Sequence, residues 1–378
     1  MRALLNARVL VDGNFAERLA VLVNGDRIAA VLDSADVPVA AERVDLAGAM
    51  LVPGFIDTQV NGGGDVLFND APTVDTIRRI GAAHARFGTT GFLPTLISDD
   101  LDVIRAGVTA VEHAIEQGVP GVLGIHIEGP FINVARKGIH AADKIRSLDG
   151  DGIAVLCSLR RGRTLVTLAP ELVGAATIRR LAASGIIVAA GHTAGSYQAI
   201  NQAIDAGVTG FTHLFNAMSQ LGNREPGAVG AALLDEKVWC SLIVDGVHVS
   251  PITLKLALRC KPIDRFLLVS DAMPTTGGTA DGFALDGRWI RAENGRLVDE
   301  QGTLAGADLS MIAAVRNAHH MLDVPLAQAV AMGSTHPADF LKLGDQVGRI
   351  AAGQLASLLA LDTDLTILRR WINGSEVE

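Results

Sequence analysis

Four apolar runs in this chain end in a residue that can bind a metal or move a proton. They are GIHIEGPF with Glu128, IIVAAGHT with His192, GFTHLFNAM with His213 and FLLVSDA with Asp271. A carboxylate or imidazole that closes a buried strand is costly unless something pairs with it. Four of them in register with four strands point to a metal centre at the mouth of a parallel barrel. Glu128, His192 and His213 make a three-ligand set for Zn2+ with a position left for water. Water in such a site has its pKa lowered from about 15.7 toward 7, giving a nucleophile at neutral pH. A buried Glu128 paired with an arginine is the structural alternative. His126, on the same strand face as Glu128, is read as a core histidine because it lies deeper in the strand.

Hydrolysis at a metal needs a base that takes the proton of the water and returns it to the leaving group. Asp271, beside the metal but outside the three ligands, suits that role; a structural or helix-capping aspartate is the alternative. His140, in RKGIH, could donate a hydrogen bond to a developing oxyanion or simply be solvated. Arg224 in NREPG and His248 in DGVH fall in loops after the sixth and seventh runs, where together they would meet a phosphate. A surface ion pair is the ordinary alternative for such an arginine. The first run, FIDTQVNG, has Gln59 and Asn61 where many two-metal barrel hydrolases have H-x-H. The fourth, TLVTLAPE, lacks the lysine that those enzymes use as a bridging carbamate. Amides ligate transition metals poorly beside imidazole and carboxylate. One divalent metal per subunit is therefore expected, with Gln59 and Asn61 behind the ligands.

The elements that must position these residues alternate. Eight strand-like runs, from LVPGFIDTQV to FLLVSDA, are separated by helical stretches such as 73–87, 101–117, 177–184 and 196–206. Repeated strand–helix units argue for a parallel sheet, and eight of them for an α/β fold of the (β/α)8 barrel type. A doubly wound open sheet is the alternative, weakened because no G-x-G-x-x-G follows the first strand. Both chain ends read as short β-structure, with Asn24-Gly25 as a hairpin turn. Neither end has enough strands to bury a face alone. The expected division is a small β-sandwich from residues 1–50 and 345–378 and a hydrolase barrel over 51–344. A polar, turn-rich stretch between Pro274 and Gly306 reads as a hairpin-bearing insertion over the barrel mouth, and Ser310 as the cap of the next helix.

Composition narrows the function. Of 378 residues 49% are hydrophobic, aromatics are 4% and the net charge is -9. Few aromatics and an acidic balance argue against nucleic-acid partners, so an anionic substrate must be met by a local basic cluster. Cys157, Cys240 and Cys260 are scattered, without C-x-x-C spacing, as expected of a reduced cytoplasmic protein. The N-terminal segment is too interrupted for a signal peptide, and no apolar run reaches the roughly 18 residues of a membrane span.

In order, PGFIDTQVNG, GIHIEGPF, RKGIH, TLAPE, GHT, THLFNAMSQ, REPG, DGVH, VSDAM and TLAG resemble the N-acetylglucosamine-6-phosphate deacetylase family of the amidohydrolase superfamily. The resemblance runs from about residue 50 to 310. It implies a barrel plus a β-sandwich, usually in a homodimer, and a metal (Zn2+, with Fe2+ or another divalent ion fitting too) held by Glu128, His192 and His213. It implies Asp271 as catalytic acid/base and His140 as the carbonyl-polarising group. Sugar contacts fall on Ile139, Asn216, Ala217 and the segment Leu304, Ala305 and Gly306. Phosphate contacts fall on Arg224 and His248, contributed across the dimer interface. The Gln59/Asn61 pair resembles the single-metal branch. The implied reaction is deacetylation of N-acetylglucosamine 6-phosphate. The rivals are N-acetylgalactosamine 6-phosphate, another acylated amine, or a catalytically silent barrel used for binding.

Overall fold

The computed structural model describes residues 1–377. At its centre are eight parallel strands in sequential order: β1 Phe55–Val60, β2 Thr89–Leu96, β3 Gly124–Glu128, β4 Arg163–Leu168, β5 Ile187–Ala190, β6 Val208–Phe211, β7 Trp239–Leu242 and β8 Phe266–Leu268. Helices cover them from outside. Val74–Ala85 turns Ile77, Ile80 and His84 inward at helical spacing, and Thr73 caps its start by accepting from the Thr76 N–H. Leu101–Glu116 and Tyr197–Ala206 bury one face in the same way, and Ser196 caps the second by accepting from the Ala199 N–H. The expected alternation is therefore present throughout, and the fold is a (β/α)8 barrel.

The ring closes by side chains as much as by ladder. β1 and β8 meet through a single parallel bridge, Val60 to Ala272, and the Asn61 N–H donates to the Ala272 carbonyl at 2.9 Å. Below that bridge the buried Asp57 carboxyl accepts from the Gln59 and Ser270 N–H groups, each at 3.2 Å, and its other oxygen meets the Ser270 hydroxyl. Asp57 thus replaces the missing backbone pairing at the seam.

Three differences from the sequence reading matter. The run LVPGFIDTQV splits at Gly54: Met50–Pro53 joins the sheet of the chain ends, and only Phe55–Val60 enters the barrel. A Cβ at Gly54 would stand 2.1 Å from Thr90 Oγ1, so the crossing needs glycine. The second difference is that β5, β6 and β8 stop short of their chemistry. His192 and His213 lie two residues past their strands, and Asp271 lies three past β8. The third is Ser310, which precedes Met311–Leu322 but makes no side-chain cap bond.

Both chain ends contribute to one eight-stranded sheet. It curls until the N–H of Ile28, in Arg27–Asp33, donates to the Gln354 carbonyl at 2.9 Å, enclosing a core of Val9, Val21, Ile28, Leu51, Leu358 and Trp371. The insertion after β8 is a four-stranded antiparallel sheet, Gly282–Leu285, Arg288–Glu293, Arg296–Val298 and Leu304–Ala307. Its apolar face packs Phe283, Leu285, Ile290 and Leu297 against Ile97, Ile139 and Met273 at the barrel mouth. No helix among the described residues is long and apolar enough to cross a membrane.

Candidate active site

Glu128 is the last residue of β3, and His192 and His213 follow β5 and β6 with φ of +48° and +34°. Non-glycine residues rarely adopt this region, and where they do the surroundings must hold them there. Ser241 Oγ accepts from the His213 N–H at 2.7 Å. Behind His192 its carbonyl accepts from the Asn133 N–H at 2.9 Å. Glu171, from the TLAPE segment, accepts from Asn133 Nδ2, Thr193 Oγ1 and the Ala194 N–H. These bonds hold both loops in place.

The three side chains converge. Glu128 Oε1 lies 2.9 Å from His213 Nε2 and 3.2 Å from His192 Nε2, and the two nitrogens are 3.2 Å apart. Tetrahedral ligands at about 2.0–2.1 Å from one zinc ion stand roughly 3.3 Å apart, so this triangle fits a single ion at its centre. Burial alone would raise the Glu128 pKa; hydrogen bonds and charge from the two imidazoles override it and hold the carboxyl well below the usual range. His192 Nδ1 lies 2.8 Å from the Arg136 carbonyl, which can only accept, so Nδ1 carries a proton and Nε2 is the nitrogen turned to the centre.

His140 also lies within 4.8 Å of the Glu128 and His192 donor atoms and could complete a different triad. Its tautomer speaks against that. The Ser98 N–H donates to His140 Nδ1 at 3.2 Å and the Ser98 hydroxyl lies 2.7 Å away. A backbone N–H can only donate, so Nδ1 is the acceptor and Nε2 carries the hydrogen. Burial, followed by the neighbouring His192, lowers the pKa to about 3, so the ring stays neutral. His140 thus offers an N–H donor rather than a ligand lone pair.

Asp271, with φ +51°, has one oxygen tied down. Oδ1 accepts from Asn61 Nδ2 at 2.8 Å and from Gln59 Nε2 at 3.0 Å, and the same Gln59 nitrogen lies 3.1 Å from each Glu128 oxygen. Both amides must turn nitrogen toward the carboxylates, which leaves Gln59 Oε1 and Asn61 Oδ1 buried without partners among the described residues. Asp271 Oδ2 receives no such bond and is left for the cavity. Burial and the nearby Glu128 charge raise the Asp271 pKa to about 6, against the opposing pull of His213, His248 and Asn61.

A cavity of about 500 Å3 opens above these groups. Besides the ligands, Asp271 and His140, its wall includes Asn61, Ile139, Asn216, Ala217 and His248, and Leu304 and Gly306 from the insertion. His248 is held by Asp245, whose Oδ2 accepts from Nδ1 at 2.6 Å. Ala305 turns inward to the core of the insertion, Gln59 lies beneath the floor, and Arg224 stands exposed on its loop outside the wall. His126 sits inside the barrel with Nε2 2.7 Å from Thr167 Oγ1, in keeping with the core reading. Arg136 and Thr303, the first residues of RKGIH and TLAG, also line the cavity without having been singled out, and Arg296 lines it from outside any of the motifs.

The amidohydrolase family model matches residues 50–377. This chain belongs to that family. An N-acetylgalactosamine-6-phosphate deacetylase from Shewanella sp. strain ANA-3 is 42% identical over 97% of this chain and 94% of its own. The crystal structure of N-acetylglucosamine-6-phosphate deacetylase from Pasteurella multocida superposes with a TM-score of 0.96 at 34% identity, covering 100% of this chain and 99% of the other. A point mutant of the Mycobacterium smegmatis N-acetyl-D-glucosamine-6-phosphate deacetylase, in complex with N-acetyl-D-glucosamine 6-phosphate, gives 0.90 at 32%, covering 99% and 98%.

Proposed function

We propose that this amidohydrolase removes the acetyl group from N-acetylglucosamine 6-phosphate, giving glucosamine 6-phosphate and acetate. The observation that carries the reading is the convergence of a neutral N–H donor, a half-tethered carboxylate and a ligand triangle on one cavity, in a chain similar end to end to such deacetylases.

Glu128, His192 and His213 would hold one divalent metal, most simply Zn2+. Such an ion lowers the pKa of a water and polarises a carbonyl. His140 Nε2–H donates to the amide oxygen as it gains charge. Asp271 Oδ2 takes the proton of the attacking water and delivers it to the departing amine nitrogen, while Asn61 and Gln59 hold Oδ1 still. Asn216, Ala217, Ile139, Leu304 and Gly306 shape the sugar pocket, and His248, which lines the cavity of its own chain rather than a neighbour's as the resemblance implied, meets the phosphate there. Arg224 reaches the phosphate of a neighbouring copy. Exposed Leu221, three residues before Arg224, and exposed Leu234, Ile252 and Leu256 on the two following helices, Gly227–Leu234 and Pro251–Cys260, support pairing of two chains. The barrel, entered at Phe55, carries the chemistry, and the chain ends form the companion domain, whose boundary moves from residue 50 to Pro53 because Met50–Pro53 pairs in their sheet. Free Cys157, Cys240 and Cys260 support a cytoplasmic setting.

A second reading, the same reaction on N-acetylgalactosamine 6-phosphate, is favoured by the 42% identical relative. Steady-state kinetics on both epimers, with and without the 6-phosphate, separates the two. Turnover of neither by the metal-loaded protein overturns the proposal, and a kcat/KM indifferent to the phosphate removes the Arg224 and His248 assignment.

A further inference from the structure

Ahead of its closing TLAG the insertion between Gly282 and Ala307 carries no motif, yet it holds three arginines whose circumstances differ. Arg291 lies 3.8 Å from Glu293 on its own strand, and Arg296 faces the cavity. Arg288 reaches out of the insertion: its NH2 donates to the Ile139 carbonyl at 2.6 Å. That carbonyl belongs to the peptide linking Ile139 to His140. Its NH1 lies 3.7 Å from Asp299, a buried carboxylate that accepts from the Thr303 and Gln301 N–H groups at 2.8 and 3.0 Å. The turn so fixed carries Gly302, Thr303 and Leu304, one wall of the cavity, while Ile139 and His140 belong to another. One guanidinium therefore ties two walls of the cavity together.

We propose that Arg288 is a positioning residue that fixes the peptide preceding His140 and thereby aims the His140 Nε2–H. This rests on the deacetylase reading for its effect on turnover, but not for the tie itself. The ring of His140 is anchored at Nδ1 by Ser98, and the segment is anchored on its other side by Lys137, whose Nζ lies 3.2 Å from the His140 carbonyl. The Ile139 side chain is buried against Phe283, Leu285 and Ile290. The N–H of the same 139–140 peptide donates to the Lys137 carbonyl at 3.1 Å within the local turn, and the Arg288 bond to the Ile139 carbonyl holds the other edge of that plane against the insertion. A small misalignment of a donor to a developing oxyanion is expensive in rate, because such a donor acts only at its designed position.

A double-mutant cycle tests this. Arg288→Ala is expected to lower kcat about tenfold with bound metal and melting temperature unchanged, and Arg288→Lys to recover part of the loss. In a His140→Ala background, Arg288→Ala should change kcat less than twofold. Equal losses in both backgrounds, or no loss in the wild-type background, would overturn the proposal. Amide exchange across residues 137–141 reads the tie without any substrate: Arg288→Ala should speed it at least tenfold, and unchanged exchange also overturns the proposal. A protein that deacetylates neither epimer, but whose 137–141 segment loosens in Arg288→Ala, would sink the deacetylase reading and keep the tie.

Discussion

Asp57→Asn should stabilise the protein above neutral pH, although it removes a buried carboxyl that makes three hydrogen bonds at the barrel seam. Burial, the dominant influence, raises the Asp57 pKa from 3.8 to about 7, despite the bonds from Ser270 and Gln59 that favour the charged form. A carboxyl that binds its proton more tightly in the fold than in the unfolded chain contributes stability that is complete below the unfolded value and is lost as pH rises through the folded one. The gap of about three pH units corresponds to roughly 4 kcal/mol, lost between about pH 4 and pH 8. The protonated form is also fully satisfied. Its Oδ1 accepts the two N–H groups, its O–H can donate to Ser270 Oγ, and that hydroxyl lies 3.3 Å from the Gln59 carbonyl. Asparagine reproduces this pattern at every pH. Melting curves of both proteins from pH 4 to 8.5, in metal-depleted samples so that no cation depresses the pKa, should converge at the acid end. At the alkaline end they should separate by about 5 °C in favour of the variant. Parallel curves, or a variant less stable at pH 8, would show that the wild-type carboxylate is ionised at no cost and would refute the argument.

Other outcomes follow from the same geometry. Asn61→Leu removes the 2.8 Å bond to Asp271 Oδ1 and should lower kcat by about 10–100-fold with metal content and KM nearly unchanged; a kcat within twofold of wild type would disprove the tether. Arg296→Ala should raise KM about tenfold for the phosphorylated sugar and leave it unchanged for the sugar without phosphate, because a cavity-facing guanidinium prefers oxyanions; an equal effect on both sugars counts against it. Lys261, buried and donating to the Ala232 and Val238 carbonyls, should tolerate replacement by methionine at a cost of roughly 2–3 kcal/mol, seen in denaturant melts with activity per folded molecule preserved.

The sequence made the ligands legible because imidazoles and carboxylates at the ends of apolar runs are costly without a partner, and Glu128, His192, His213 and Asp271 are all of that kind. It also made the insertion visible as hairpins through its glycine-bearing turns. What stayed hidden depends on residues far apart in the chain. Ser98 sets the His140 tautomer from the loop after β2, and Asp57 meets Ser270 from more than 200 residues away in the chain. Neither is an unusual residue for its segment, so no local pattern marks it. Gln59 and Asn61 could be read as poor ligands, but not as the clamp on one Asp271 oxygen, which needs the β1–β8 seam to exist. Arg224 was legible as a phosphate candidate, whereas Arg136 and Arg296 became visible only when the cavity wall was assembled.

The left-handed backbone at His192, His213 and Asp271 gives the protein a particular evolutionary fragility. Glycine and asparagine relax such positions, and each relief is worth on the order of 1 kcal/mol. Substitutions that strip the centre of a ligand or its base would therefore raise the melting temperature of the metal-free chain, and a library sorted for thermal robustness alone would discard chemistry first. Any hardening of this scaffold has to be selected with turnover in the same screen.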